Sequence, residues 1–208
     1  IMLWQHALLN PERMIGLANM SVPFKAREPA EPVAFWEKML GEDFYLVHFN
    51  RHPEVAARSF DTNPKRVLTN LYRTKHWLEK GTFQPDGYNI VRSAEVDNSR
   101  GELMLSEEEL MVFVEAFAQG GFVAPCNWYR NFTRNWETMA HVKQTIELPS
   151  LMIYGEYDMV PKVDMTDTVL DLEVKTLACG HWIQQEEPEK TNQILLEWLE
   201  RKIKPLLT

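Results

Sequence analysis

Cysteine is nearly absent from this sequence: Cys126 and Cys179 are the only two among 208 residues. They stand at no metal-like spacing, and a reduced, cytoplasmic setting is the simpler reading, although two cysteines can still form one disulfide. Long hydrophobic runs are missing too. Nothing reaches the roughly 18–20 consecutive apolar residues that a membrane span requires, so none is expected. A basic stripe is also lacking. The formal charge is −8, from 22 Lys and Arg against 30 Asp and Glu. Without clustered cations there is nothing to neutralise a phosphate backbone, which argues against a nucleic-acid partner. No internal repeat is visible. The first residue is Ile1, with neither signal peptide nor N-cap ahead of what reads as a helix. That abrupt start sets the expectation of a segment cut from a longer protein.

What is present is an ordinary globular mixture, 45% apolar and 25% charged, on a chain long enough to bury a sizeable core. Residues 1–10 read as an amphipathic helix stopped by Pro11. Met14 to Met20 has the length and apolarity of a buried parallel strand. Pro23, Pro29 and Pro32 then mark a change of composition. From about Glu28 to Thr138 the chain is aromatic-rich and broken into short helices. Asn63-Pro64 opens one, with Val67, Leu68, Leu71 and Tyr72 on a single face. Ser106 and Glu109 form a capping box for another, expected to bury Leu110, Phe113, Val114 and Phe117 and to end at Gly120-Gly121. Residues 79–101, with several Gly, Asp and Asn, read as a loop.

The last third regains β/α character. Ser150 to Tyr154 is a strand candidate, a helix is expected after Pro161, and Leu172 to Leu177 is a further strand. Pro188 opens a final helix with Ile194, Leu195, Trp198 and Leu199 as its apolar stripe. This order predicts an α/β fold, a parallel sheet interrupted by a mostly helical insertion. The expected division is 1–27 core, 28–138 insertion and 139–208 core.

In open α/β sheets, reactive groups gather at the carboxyl ends of strands. Two such ends carry suitable residues here. Asp158 follows the Ser150 strand, and His181 follows the Leu172 strand. Adjacent parallel strands would bring them together, and a carboxylate beside imidazole sets its tautomer and stabilises the imidazolium. Singly, each has a structural reading: Asp158 as an acceptor for turn N–H groups, His181 as a satisfied histidine. As an ordered acid and histidine at successive strand ends, they read as a catalytic pair.

The run Gly121-Phe122-Val123-Ala124-Pro125-Cys126-Asn127-Trp128-Tyr129-Arg130-Asn131, continuing to Arg134-Asn135-Trp136, resembles the cap segment of soluble epoxide hydrolases in the α/β-hydrolase superfamily. Cys179-Gly180-His181-Trp182 resembles their histidine loop. Asn10-Pro11-Glu12-Arg13 and Ser21-Val22-Pro23-Phe24 resemble the helix and strand after the nucleophile elbow. The resemblance implies a partial α/β-hydrolase fold whose 28–138 insertion is a helical cap, or lid.

It also implies roles. Asp158 would be the charge-relay acid and His181 the base that activates water. Tyr129 and Tyr45 would hydrogen-bond the epoxide oxygen, where a neutral phenol keeps its proton at pH 7; the structural reading of either is core packing. Trp182, Val160 and Phe24 would line the pocket for a small apolar epoxide. No metal or organic cofactor is implied. The family's nucleophilic aspartate, in its elbow, has no counterpart among these residues, so a companion N-terminal half of the same fold is the expected partner. Two alternatives stay open: a haloalkane or haloacid dehalogenase-like hydrolase, and a homologue that binds a ligand without turnover.

Overall fold

A computed structural model describes residues 1–74, 90–96 and 101–207 of the chain. They form two compact units, one built from Ile1–Arg27, Thr74 and the described residues from His141 onward, the other from Glu28–Arg73 and the described residues between 81 and 140.

The first unit is organised around one strand. Ser150–Gly155 (β2) is buried along its whole length. It lies between Leu17–Met20 (β1) and Leu172–Leu177 (β3), parallel to both, with Leu17 opposite Ser150 and Ser150 opposite Leu172. Successive side chains of a strand point to opposite faces, so a central strand feeds two cores. Met152 and Tyr154 pack on one side with Trp4, Leu17, Phe24, Ile146, Met165 and Val169. Leu151 and Ile153 pack on the other with Leu177, Cys179, Ile183 and Trp198. Each such side chain contributes about 1.5–3 kcal/mol on leaving water.

The helix Met2–Leu9 (α1) buries Trp4 and Ala7 against the first of these cores. Pro11, with no N–H to donate, directs the chain into a short 3-10 turn, Pro11–Arg13, so β1 begins at Leu17 rather than at Met14. The short helix Ile183–Glu186 and then Pro188–Trp198 cover the second core. In that last helix Trp198 is buried and Ile194 and Leu195 are half-buried, whereas Leu199, just past its end, is exposed.

The helix expected after Pro161 does not form: the link from β2 to β3 is irregular, with turns at 166–168 and 170–171. The carboxylate of Asp164 accepts hydrogen bonds from both the N–H and the hydroxyl of Thr166, which closes a turn in place of a helical one. The backbone at Val169 then bridges to Ile146 as an extra parallel rung.

In the second unit the helices Pro32–Leu40 (α2), Tyr45–Arg51 (α3), Pro53–Asp61 (α4) and Pro64–Leu71 (α5) follow one another closely. The Asn63 side chain caps α5 by accepting from the N–H of Arg66. Glu107–Gly120 (α6) opens with the reciprocal capping box of Ser106 and Glu109 and stops at Gly121, whose φ of 66° suits glycine. Of its expected buried face only Leu110 is fully covered; Phe113, Val114 and Phe117 are half-buried. Val123–Asn127 (α7) and Phe132–Thr138 (α8) complete the order, on either side of a 3-10 turn at Trp128–Asn131. Phe49, Ala56, Ala57, Phe60, Val67, Phe122 and Cys126 form the core. Most of the loop expected over 79–101 lies outside the described residues.

Candidate active site

The parallel ladder of β2 and β3 does not stop where the strands end. Glu156 N–H donates to Leu177 C=O at 2.8 Å and Tyr157 N–H to Cys179 C=O at 3.0 Å. These bonds draw the turn after β2 against the loop after β3, across which Asp158 and His181 meet. His181 Nδ1 lies 2.9 Å from Asp158 Oδ1. The same carboxylate oxygen accepts from the N–H of Val160 at 2.9 Å, so the turn itself aims the acid.

Burial sharpens the pair. The Asp158 side chain is 1% exposed and that of His181 31%. A buried carboxylate accepts and cannot donate, so His181 carries its proton on Nδ1 and leaves the lone pair on Nε2. An imidazole held this way can take a proton from water, and Asp158 then stabilises the imidazolium.

The histidine loop is held from three sides. Both oxygens of Glu186 accept from the N–H of Gly180 at 3.0 Å each. Ser21 Oγ donates to the C=O of His181 at 2.7 Å. Gly155 presses on the loop so closely that a Cβ there would lie 2.1 Å from the Gly180 oxygen. None of these three roles was legible in the sequence; Ser21 sits in the Ser-Val-Pro-Phe run, but its bond spans 160 positions.

Cys179, two positions before His181, is not a competing nucleophile. Burial, reinforced by the negative charges of Glu186, Glu187 and Asp158, pushes its thiol up to about 12, so the reactive thiolate is absent at neutral pH. The half-buried indole of Trp182 meets the His181 ring edge-on, with centroids 5.3 Å apart. Val160 is half-buried. Phe24 is buried in the core beside Trp4, its N–H directed at Met165 Sδ.

The second unit brings the two tyrosines together. Tyr45 opens α3 and Tyr129 lies in the 3-10 turn, and their ring centroids are 6.0 Å apart at 78°. Phe49 packs edge-on against both, 5.9 Å from Tyr45 and 5.0 Å from Tyr129. Asn50 Nδ2 fixes the Tyr129 backbone by donating to its C=O at 2.8 Å. Burial, with a smaller effect from Cys126, raises the Tyr129 phenol above its usual value, so it keeps its proton as a donor. Among the described residues no group of His, Cys, Asp and Glu is arranged to hold a metal ion.

No protein-family model matches the sequence. Individual relatives do. Epoxide hydrolase A of Mycobacterium tuberculosis is 32% identical over 216 residues, covering 96% of this chain and 65% of the relative. The bifunctional epoxide hydrolase 2 of Sus scrofa is 31% identical over 96% of this chain and 37% of its own length. Among solved structures, epoxide hydrolase A of Mycobacterium thermoresistibile superposes with a TM-score of 0.80 at 29% identity, over 96% of this chain and 66% of that one.

The chain shares the α/β-hydrolase fold of these epoxide hydrolases, in part, and resembles them along nearly its whole length. Its parallel sheet and helical second unit are part of that fold. It spans about two thirds of the M. tuberculosis epoxide hydrolase and just over a third of the pig protein. No single helix among the described residues is long and apolar enough to cross a membrane.

Proposed function

We propose that this chain carries the water-activating and oxygen-polarising groups of an epoxide hydrolase that forms vicinal diols through an alkyl-enzyme ester. The observation that carries the reading is the 2.9 Å bond from His181 to the buried Asp158. The Tyr45–Tyr129 pair in the second unit adds the acid function an epoxide needs.

In the proposed reaction an aspartate ahead of Ile1, expected from the resemblance, attacks an epoxide carbon. As that C–O bond breaks, Tyr45 and Tyr129 donate hydrogen bonds to the departing oxygen and one of them gives up its proton. His181 Nε2 then takes a proton from water, and the hydroxide adds to the ester carbonyl. Collapse frees the diol and restores the aspartate, and the proton held by His181 returns to the phenolate. The sum is epoxide plus water to diol, with no cofactor. Residues 28–138 act as the cap. Trp182 and Val160 line the site for a small apolar epoxide, and Phe24 backs it from the core. Both cysteines are buried and unbridged, in keeping with a cytoplasmic protein.

The test is His181→Gln in the full-length protein. Incubation with an epoxide is expected to leave enzyme heavier by the mass of that epoxide, with diol release slowed by about 10²–10⁴. Diol formation at the unaltered rate would refute the reading.

A further inference from the structure

Ser21 stands in a backbone conformation that a side chain disfavours. Its φ is 60°, and among the described residues no other non-glycine has positive φ. It is the middle of a three-residue turn closed by the Val22 N–H donating to Met20 C=O at 2.6 Å, a rare and strained form. Two neighbours keep the turn in place by donating to the carbonyl of Val22: the indole of Trp4 at 3.0 Å and the amide of Asn19. The N–H of Ser21 is tied to Ile153 C=O of β2 at 3.0 Å. Glycine would take this φ without penalty. The side chain that is present instead is 94% hidden with its residue and spends its hydroxyl proton on the carbonyl of His181, 2.7 Å away.

We propose that Ser21 is a positioning residue for the base: its strained turn at the end of β1 sets the hydroxyl that fixes the His181 backbone and, through it, the ring against Asp158. Glu186 holds the N–H of Gly180 one residue earlier, so the two side chains grip the loop at consecutive residues. The inference rests on the epoxide hydrolase reading for its kinetic consequence and on the geometry alone for its spectroscopic one.

The two variants to compare in the full-length protein are Ser21→Gly and Ser21→Ala. Both lose the hydroxyl, but glycine relieves the turn, so Ser21→Gly should melt no lower than Ser21→Ala and remain folded. Because His181 serves only the second half-reaction, kcat and KM should fall together by about tenfold in both variants while kcat/KM holds. The hydrogen-bonded Nδ1 proton of His181, followed by ¹⁵N-edited NMR, should broaden or vanish in both. Unchanged kcat, KM and Nδ1 signal in a folded Ser21→Gly would overturn the proposal. So would a drop in kcat/KM at constant KM. If His181→Gln also turned epoxide over normally, the functional reading would fail, and the Nδ1 signal in Ser21→Gly would still decide whether Ser21 holds the ring.

Discussion

Gly155 and Gly180 are in such close apposition that a methyl group on the first would lie 2.1 Å from the carbonyl oxygen of the second. The obstacle is backbone, and it cannot swing aside as a side-chain tip can. The turn that carries Asp158 and the loop that carries His181 are therefore spaced by the absence of one Cβ. Gly155→Ala should force the loop away, costing about 1–3 kcal/mol of stability by urea unfolding. A shift of the histidine on the order of 1 Å should also slow diol formation about 10²-fold. A variant as stable and as active as the parent would show that the loop yields freely.

In the proposed reaction the tyrosine pair is what distinguishes epoxide opening from dehalogenation on the same fold. A halide leaves without a proton, whereas an epoxide oxygen needs one. Tyr129→Phe keeps the ring contacts with Tyr45 and Phe49 but removes the donor. Loss of one such donor should lower kcat for an epoxide by about 10²–10³. Tyr45→Phe should act in the same direction. If Tyr129→Phe opened epoxides at the original rate, the phenols would be packing groups only.

The buried thiols predict a definite pH response. In the folded chain burial raises Cys179 from an ordinary 9.0 to about 12 and Cys126 from 9.0 to about 11. Below pH 9 both states hold these protons, and the thiols leave stability independent of pH. Above it the unfolded chain loses them first, so stability falls between pH 9 and about 12. Cys179→Ala should flatten that fall in alkaline unfolding curves. At pH 8 a thiol reagent should label neither cysteine until denaturant is added; rapid labelling of the folded protein would contradict their burial.

Much of the scaffold was legible because it depends on local chemistry. The run Leu172–Leu177 forms the strand its pattern predicts, Pro188 opens the last helix, and Ser106 with Glu109 makes the expected capping box. The stretch after Pro161 misled because its prolyl start looks helical, while Asp164 closes a competing turn on Thr166 that no periodicity records. Phe24 was less legible: a residue beside a strand end can face pocket or core, and the structure packs it with Trp4 in the core.

For the candidate site, the chemical inventory and its order were already readable along the chain: an acid and then a histidine after successive strands, and two phenols in the helical insertion. The acid and the histidine follow from residue type and spacing, and the two phenols from the resemblance to the epoxide hydrolase cap segment. The contacts came from the folded structure. It alone put His181 on the same oxygen of Asp158 that the Val160 N–H holds, and set Tyr45 beside Tyr129. It alone gave Ser21, Gly155 and Glu186 their grip on the histidine loop. Those relations depend on parallel strands ending side by side. Hydrogen bonds and steric limits act over about 3 Å in space whatever the separation along the chain.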